Sequence, residues 1–414
     1  MRILFVVHQF YPEYGGGTEK VCFHLAKAAQ RAGHYVRILC CRVNQWDHES
    51  YELLVDSVYR GIPVSAFQRK DLPENADIDL PVNVELNSAV TELLDQEQFD
   101  VAHVMHTMRM GSALEAIIDK GVPYLLSITD FFTQCFRVNL IDVKKQLCDG
   151  AMGGESCAKK CQLSPWTAKQ LCDRNAKFKL ILSGASERIC PSKYVQSKFI
   201  SEFPGMDFRV IEHGIDLNKA IVQREQYSSG PDTTKPLVFG FAGSFVPEKG
   251  LECLIEAFQA VRSPEIRLQL YGSFFGQDVY QEKVSELVNA DDRISLNAFV
   301  EADKIYSVLM QFDVFCLPSI VPETYSLILR ESAATGTPML VSDLGAQADF
   351  VNEHGCGAVV GAGVAKDWSG AIEKLIKRPG TLNDWKQNLP LPDRLEEEAF
   401  YYQSLYQKTI LSQS

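Results

Sequence analysis

The first forty residues, MRILFVVHQFYPEYGGGTEKVCFHLAKAAQRAGHYVRILC (1–40), decide the fold. Ile3 to Val7 is an uninterrupted apolar run, as expected of a strand buried on both faces. A turn-rich loop follows and ends in Gly15, Gly16 and Gly17. From Thr18 the apolar positions Val21, Leu25, Ala28, Ala29 and Ala32 keep helical spacing, and Gly33 stands where a helix C-cap favours glycine. Tyr35–Cys40 is again a strand. Strand, loop, helix, strand is a βαβ unit and opens a parallel sheet.

The same alternation runs outward from this unit. Strand-like segments recur at Val101–Met105, Pro123–Ile128, Ile181–Leu182 extending to Ile189–Pro191, and Arg209–Ile211. QREQYSSGPDTTKP (223–236) has no periodicity and reads as a linker. Beyond it, strands are expected at Val238–Ala242, Leu268–Tyr271, Ile294–Asn297, Val314–Leu317, Met339–Ser342 and Ala358–Val360, and a helix at Leu251–Val261. The fold class is therefore α/β, with two Rossmann-like doubly wound domains facing a central cleft. The expected divisions are 1–218, a linker at 219–235, 236–393, and a C-terminal helix at 394–414 that packs back on the first domain. That helix carries apolar Leu395, Ala399, Tyr402, Leu405 and Tyr406. Ligands in such sheets bind outside the C-terminal ends of the strands.

Composition narrows the function. The chain has 414 residues, 46% hydrophobic and 23% charged, and a formal charge of −12, which argues against a nucleic-acid partner. No apolar run reaches membrane-spanning length, and the N-terminal run is short for a signal peptide, so a cytoplasmic protein is expected. The charge is uneven. Thr133 to Gly205 holds 12 Lys/Arg against 6 Asp/Glu, a local surplus of +6 that leaves −18 on the remainder. Within that stretch Cys135, Cys148, Cys157, Cys161 and Cys172, five of the 12 cysteines, fall in 38 residues.

Several residues sit where a doubly wound domain does chemistry. Gly16 and Gly17 lie between a strand and a helix N-terminus, where free N–H groups suit a phosphate; a tight structural turn is the alternative. In Gly243-Ser244-Phe-Val-Pro-Glu-Lys249-Gly250 the lysine ends a strand-to-helix loop and could meet a diphosphate as a point charge. PSIVPETYSLILRES (318–332) places Glu323 before a helix and Glu331 two turns along, with the backbone N–H groups of Tyr325, Ser326 and Leu327 at the helix start. Carboxylates there would accept from ribose or sugar hydroxyls; two ordinary helix glutamates are the plain alternative. His106 and Asp130 follow the strands Val101–Met105 and Pro123–Ile128 and could serve acid–base chemistry or bind a hydroxyl. No HExxH motif or nucleophile elbow is present, which weakens any hydrolase reading.

These motifs resemble the retaining glycosyltransferases of family 4, which have the GT-B fold. GGGTEKVCFHLAKAAQRAGHYV is similar to the family's Gly-rich loop and first helix. FDVAHVMH is similar to its second cleft strand, and FGFAGSFVPEKGLECLIEAF to the strand that opens the donor domain. PSIVPETYSLILRESAATGTPMLVSDLGAQADFV is similar to the E-x7-E signature and its following G-x-P. The resemblance implies transfer of a sugar, with retention, from a UDP- or GDP-sugar to a glycan, a lipid-linked acceptor or another hydroxyl. It implies a donor-binding set of Gly16, Gly17, Gly243, Ser244, Lys249, Gly272, Tyr325, Ser326, Leu327 and Glu331, with Glu323 at the sugar and no metal needed for transfer. Two positions depart from the pattern: Ser244 stands where Arg is common, and Thr129 stands where His precedes Asp130. The alternatives are a catalytically silent GT-B scaffold and a GT-B epimerase.

Residues 133–175 read as an insertion in the first domain. Cys148, Cys157, Cys161 and Cys172 have the spacing of no standard CxxC site. They leave open a structural zinc, an iron–sulfur cluster, reduced thiols or disulfides. The basic surplus leaves open a solvated face or a phosphate-bearing or lipid-linked acceptor, with peripheral contact at the inner face of a membrane.

Overall fold

The computed structural model describes residues 1–44, 52–161, 166–226, 235–274 and 276–412. The chain divides into two compact units, one of Met1–His213 with Leu395–Ser414 and the other of Gly214–Arg394.

The first unit is built on an eight-stranded sheet. Its strands are β1 (Arg2–Val7), β2 (Tyr35–Arg42), β3 (Val55–Tyr59), β4 (Ile62–Gln68), β5 (Val101–Val104), β6 (Tyr124–Ser127), β7 (Glu187–Cys190) and β8 (Arg209–Val210). Their order is β3-β4-β2-β1-β5-β6-β7-β8. All neighbours are parallel except the β3–β4 pair. Ile3, Leu4, Phe5, Val6 and Val7 are fully buried, which is why β1 reads as a continuous apolar run. The helix Gly17–Arg31 returns the chain to β2 with Val21, Cys22, Leu25, Ala26 and Ala29 on its buried face. The β3–β4 hairpin is an edge feature absent from the expected elements. It closes on a two-residue turn, Arg60-Gly61, with φ of +46° and +81°, the left-handed pair that suits a tight hairpin.

Three expectations are corrected here. Ile181 and Leu182 belong to the helix Ala168–Gly184, and the strand is confined to β7. The same helix claims residues 168–175, so the segment read as an insertion is the earlier part of the β6-to-β7 connection. Residues 219–226 are not linker, because Leu217–Gln226 is a helix that buries Leu217 and Ala220 within the second unit. Residues 227–234 of the expected linker lie outside the described residues.

The C-terminal helix Leu395–Leu411 belongs to the first unit. A buried polar network fixes it there. His103 on β5 meets the Tyr406 hydroxyl through Nδ1 and the Ser127 hydroxyl through Nε2, both at 2.7 Å, and Tyr402 meets Ser127 at 3.1 Å. His213 Nδ1 and the Glu398 carboxylate lie 2.8 Å apart. Burial pushes the His103 imidazole down to about 3, so it is neutral and acts as a hydrogen-bonding strut.

The second unit has a six-stranded parallel sheet. Its strands are β9 (Leu237–Ala242), β10 (Ile266–Tyr271), β11 (Ile294–Asn297), β12 (Val314–Leu317), β13 (Met339–Ser342) and β14 (Gly357–Val360), in the order β11-β10-β9-β12-β13-β14. In each unit the winding reverses at one place: between β1 and β5 in the first, and between β9 and β12 in the second. The loops leaving those strand pairs diverge at the carboxyl edge, where an open α/β sheet offers its binding crevice.

Candidate functional site

The crevice of the second unit is made by the loops after β9 and β12. Gly250 sits at φ +68°, and a Cβ there would fall 2.1 Å from the Pro318 carbonyl oxygen. Only glycine allows the two loops to touch. Their contact brings Lys249 Nζ to 2.6 Å from Glu323 Oε1, and the Ser319 hydroxyl donates to the same oxygen at 2.6 Å. Gly345, at φ +74°, supports Glu323 from behind: its Cβ would meet the Glu323 backbone at 2.5 Å. Burial works to raise the Glu323 carboxyl, but the Lys249 charge and the hydrogen bonds from Lys249 and Ser319 outweigh it and hold the group below its ordinary value. The carboxylate is therefore ionised and fixed. Ser319, wholly buried, was not legible as a site residue.

A second helix start faces the same loops. Ser326 takes φ +66° and caps the helix Leu327–Thr335. Arg330, buried one turn in, holds that start from below. Its guanidinium lies 3.9 Å from the Tyr325 ring centroid and 4.2 Å from that of Phe350, and Nη1 donates to the Tyr325 carbonyl. The first N–H groups of a helix have no intrahelical acceptor and carry a partial positive charge, which suits an anion. Tyr325 is buried, and Leu327 is half-buried. Glu331 is also buried, with its charge close to Tyr306. Gly243 and Gly272 follow β9 and β10 and lie against each other, and Ser244 is half-buried beside them.

In the first unit, Gly16 and Gly17 are exposed at the start of the helix Gly17–Arg31. Across the crevice, His106 and Asp130 meet: Nε2 to Oδ2 is 2.6 Å. The Met108 N–H donates to His106 Nδ1 at 3.1 Å, so Nδ1 is the acceptor and the ring proton sits on Nε2, facing the carboxylate. Both ring nitrogens are engaged and the side chain is 3% exposed, whereas Asp130 is 29% exposed. Asp130 is the member of this dyad open to a ligand. His8, which ends the loop side of β1, stacks on His106 with ring centroids 3.9 Å apart. Its Nε2 lies 3.8 Å from Glu19 Oε1. Neither His8 nor Glu19 was singled out from the sequence, because only the β1–β5 pairing brings them beside His106.

The four cysteines proposed from the sequence as metal ligands all lie in the connection between β6 and β7. All twelve cysteines are free thiols. Cys148, Cys157 and Cys161 are buried while Cys172 is half-buried on the helix Ala168–Gly184. Among the described residues no group of three or more His, Cys, Asp or Glu is placed to hold a metal ion. Burial pushes the Cys157 thiol up to about 12. Cys157 and Cys161 instead pack with Phe136, Ala151 and Leu171 as a small apolar core. Arg174 and Glu202 tie this region down. Arg174 donates to the carbonyls of Ile78, Thr133 and Phe132, and Glu202 accepts from Met152 and Gly153.

With this geometry in view, comparison with known proteins is decisive for the fold. Residues 15–219 match the family model described as Glycosyltransferase Family 4, and residues 223–390 match Glycosyl transferases group 1. Each unit is thus matched by a model of a glycosyltransferase family. The fold is GT-B: the chain superposes on sucrose-phosphate synthase from Thermosynechococcus elongatus with a TM-score of 0.72, at 15% identity over 99% of each chain. It superposes on Anabaena HepE, solved with UDP and glucose, with a TM-score of 0.67, at 16% identity over 97% of this chain and 98% of that one. Among curated relatives, a glycosyltransferase of Bacillus subtilis, YtcC, is 26% identical over 202 residues, 45% of this chain and 50% of that protein. An uncharacterized glycosyltransferase of Methanocaldococcus jannaschii is 23% identical over 366 residues, 86% of this chain and 83% of that protein. The chain spans about half the length of several curated relatives, YtcC included. No helix among the described residues is long and apolar enough to cross a membrane.

Proposed function

We propose that the protein is a glycosyltransferase that moves a sugar, with retention of configuration, from a nucleoside-diphosphate sugar to an acceptor hydroxyl. The observation that carries the reading is the Lys249–Glu323–Ser319 constellation at the winding reversal of the second unit, beside the helix start at Leu327. A leaving diphosphate needs positive charge. Lys249 and the helix N-terminus supply it. The fixed Glu323 carboxylate accepts hydrogen bonds from the sugar hydroxyls, and Glu331 and the Gly243–Ser244 loop hold the ribose and phosphates. Donor binding recruits Lys249 to the diphosphate and frees Glu323 for the sugar. In the transfer step the acceptor oxygen bonds to the anomeric carbon on the face that the diphosphate leaves. The anomeric C–O bond to the diphosphate breaks, and the acceptor proton passes to a diphosphate oxygen. No divalent ion is required where protein groups neutralise the leaving group.

Support for a nucleotide sugar comes from HepE and from an Escherichia coli trehalose-6-phosphate enzyme solved with UDP-2-fluoroglucose, although both share only the fold. Exposed Val143, Leu147 and Met152 near exposed Lys144 and Lys145 support peripheral contact with an anionic membrane. Co-sedimentation with anionic vesicles reads that contact; absence of salt-sensitive binding removes it. The function is tested by thermal-shift titration with UDP, GDP, ADP and their sugars. One nucleotide series is expected to stabilise the protein and to lose that effect in Lys249→Ala. No stabilisation by any of them would overturn the reading.

A further inference from the structure

The connection between β6 and β7 buries a group of thiols that the transfer reaction does not use. Cys135, Cys148, Cys157 and Cys161 are each 6–8% exposed. Cys157 lies within electrostatic reach of the other three, and Cys148 within reach of Cys135 and Cys161 as well. Local structure explains the grouping. The Cys161 N–H donates to the Cys157 carbonyl at 2.9 Å at the end of the helix Glu155–Lys160, so the two side chains stand one turn apart on one face. The Cys148 N–H donates to the Leu140 carbonyl at 2.7 Å, and Ile141 pairs with Leu147, a short hairpin that returns Cys148 toward Cys135. Cys135 takes the place that sequence spacing gave to Cys172, which is half-buried on the helix Ala168–Gly184.

The surroundings suit sulfur that has lost its proton to a cation. A neutral thiol donates, as Cys148 does to the Gly150 carbonyl at 3.3 Å. A metal-bound thiolate accepts, and donors already face these sulfurs: the backbone N–H groups of Arg137 and Leu140 at Cys135, and that of Val143 at Cys161. Gln134, 1% exposed, has a partner for neither its amide nitrogen nor its oxygen, and that oxygen lies 4.0 Å from where a Cβ on Gly150 would stand. Buried amides are nearly always satisfied, so this one marks an incomplete site. Positive charge is in place too. Arg174, 3% exposed, donates to the uncharged carbonyls of Ile78, Thr133 and Phe132, and its charge acts on Cys135 and Cys157. Arg137 acts on Cys161. The carboxylates that act on Arg174 and Cys161 have partners of their own. Asp79 pairs with Lys177, Asp130 with His106, and Asp142 accepts from the N–H groups of Lys144 and Gln146.

We propose that Cys135, Cys148, Cys157 and Cys161 bind one zinc ion as four thiolates. The ion displaces four thiol protons, and its two positive charges against four negative ones leave −2, which the Arg174 and Arg137 guanidiniums balance. Four sulfur ligands select zinc over hard cations such as magnesium or calcium. Among the described residues no three of these side chains are placed to hold an ion, and they stand as two pairs in two cores. Cys135 and Cys148 pack in the main core of the first unit, and Cys157 and Cys161 in the small one with Phe136, Ala151 and Leu171. Zinc binding therefore draws the pairs together and fastens the small core to the large one. The inference does not depend on the transfer reaction.

The test is elemental analysis of the full chain purified without chelator, followed by titration of Zn²⁺ alone into reduced protein stripped with EDTA. One zinc per chain is expected in both. Cobalt(II) in its place is expected to give the intense sulfur-to-metal absorption of a tetrahedral thiolate site, and zinc to slow proteolysis within 133–161. Cys135→Ser and Cys157→Ser are each expected to weaken zinc binding at least tenfold, and Cys172→Ser to leave it unchanged. The cobalt spectrum and the proteolysis are read on the wild-type chain, so the test stays open if a serine variant fails to fold. No zinc bound in either measurement, iron and sulfide in its place, or zinc affinity unchanged in both Cys135→Ser and Cys157→Ser would overturn the inference. Nucleotide stabilisation through Lys249 is read in a separate titration, so the two proposals stand or fall independently.

Discussion

Replacing Lys249 by Met removes one partner of a contact in which Nζ lies 2.6 Å from Glu323 Oε1, with the side chains 28% and 14% exposed. A fully buried pair broken in this way costs about 3–5 kcal/mol, and an exposed pair contributes about 0–1 kcal/mol. The exposures here place the pair between those limits, and Ser319 still donates to the stranded carboxylate. We therefore expect a coupling energy of about 1–2 kcal/mol between the two positions. The assay is a double-mutant cycle with Lys249→Met, Glu323→Gln and the double variant, read by thermal unfolding of the second unit. For a unit of 150–250 residues, about 1 kcal/mol moves Tm by roughly 2–4 °C, so the non-additivity is about 2–8 °C. The double variant should be more stable than Lys249→Met alone, because no unpaired carboxylate remains in it. Additive shifts, or a double variant less stable than both singles, would refute the claim that the two loops are joined by this ion pair.

Other consequences follow from the same contacts. Gly345→Ala should lower Tm through about 1–3 kcal/mol of strain, because an added Cβ lies 2.5 Å from the Glu323 carbonyl and φ is +74°; an unchanged Tm would mean the loop has room. Tyr406→Phe removes the hydroxyl that meets His103 and should cost about 1–2 kcal/mol, with faster proteolysis of the C-terminal helix; unaltered proteolysis would discount that strut. Arg174→Met deletes donors to three carbonyls and should expose the 133–161 region to limited proteolysis at native pH. Glu323 also fixes a pH response. Its folded value is depressed, so its stabilisation is full above the unfolded value near 4.3 and is lost as pH falls through the lower folded value. The Tm gap between wild type and Glu323→Gln should be wide at pH 7 and should shrink below about pH 4; a constant gap contradicts the assignment.

What the sequence revealed, and what it hid, has a physical division. Strands such as β1, β12 and β13 are buried on both faces, so their apolar runs announce them. The β3–β4 hairpin did not, because β3 is an edge strand of mixed polarity and its turn is Arg-Gly, a weak hairpin signal. Ile181 and Leu182 misled because two adjacent apolar residues fit a buried helix face as well as a strand. The loops carrying Lys249 and Glu323 were legible because glycines flank Lys249 and a fixed spacing carries Glu323 and Glu331. Ser319, His8 and Glu19 were not. Their roles arise from loop-to-loop contact at the winding reversals, and that proximity is set by strand order, not by local pattern. The cysteines show the opposite hazard. They are close in sequence, yet three of them are buried, and Cys157 and Cys161 serve as side chains of a small apolar core.

The most direct test of the central claim is acceptor-dependent release of nucleoside diphosphate from the nucleotide sugar that the thermal-shift titration selects, with methyl glycosides as acceptors. Wild type should release it only when acceptor is present. Glu323→Gln should fall at least 100-fold, about 2.7 kcal/mol of transition-state stabilisation, while still binding the nucleotide. Equal release by wild type and Glu323→Gln, or no release from any nucleotide sugar that binds, would contradict glycosyl transfer at the Lys249–Glu323 site.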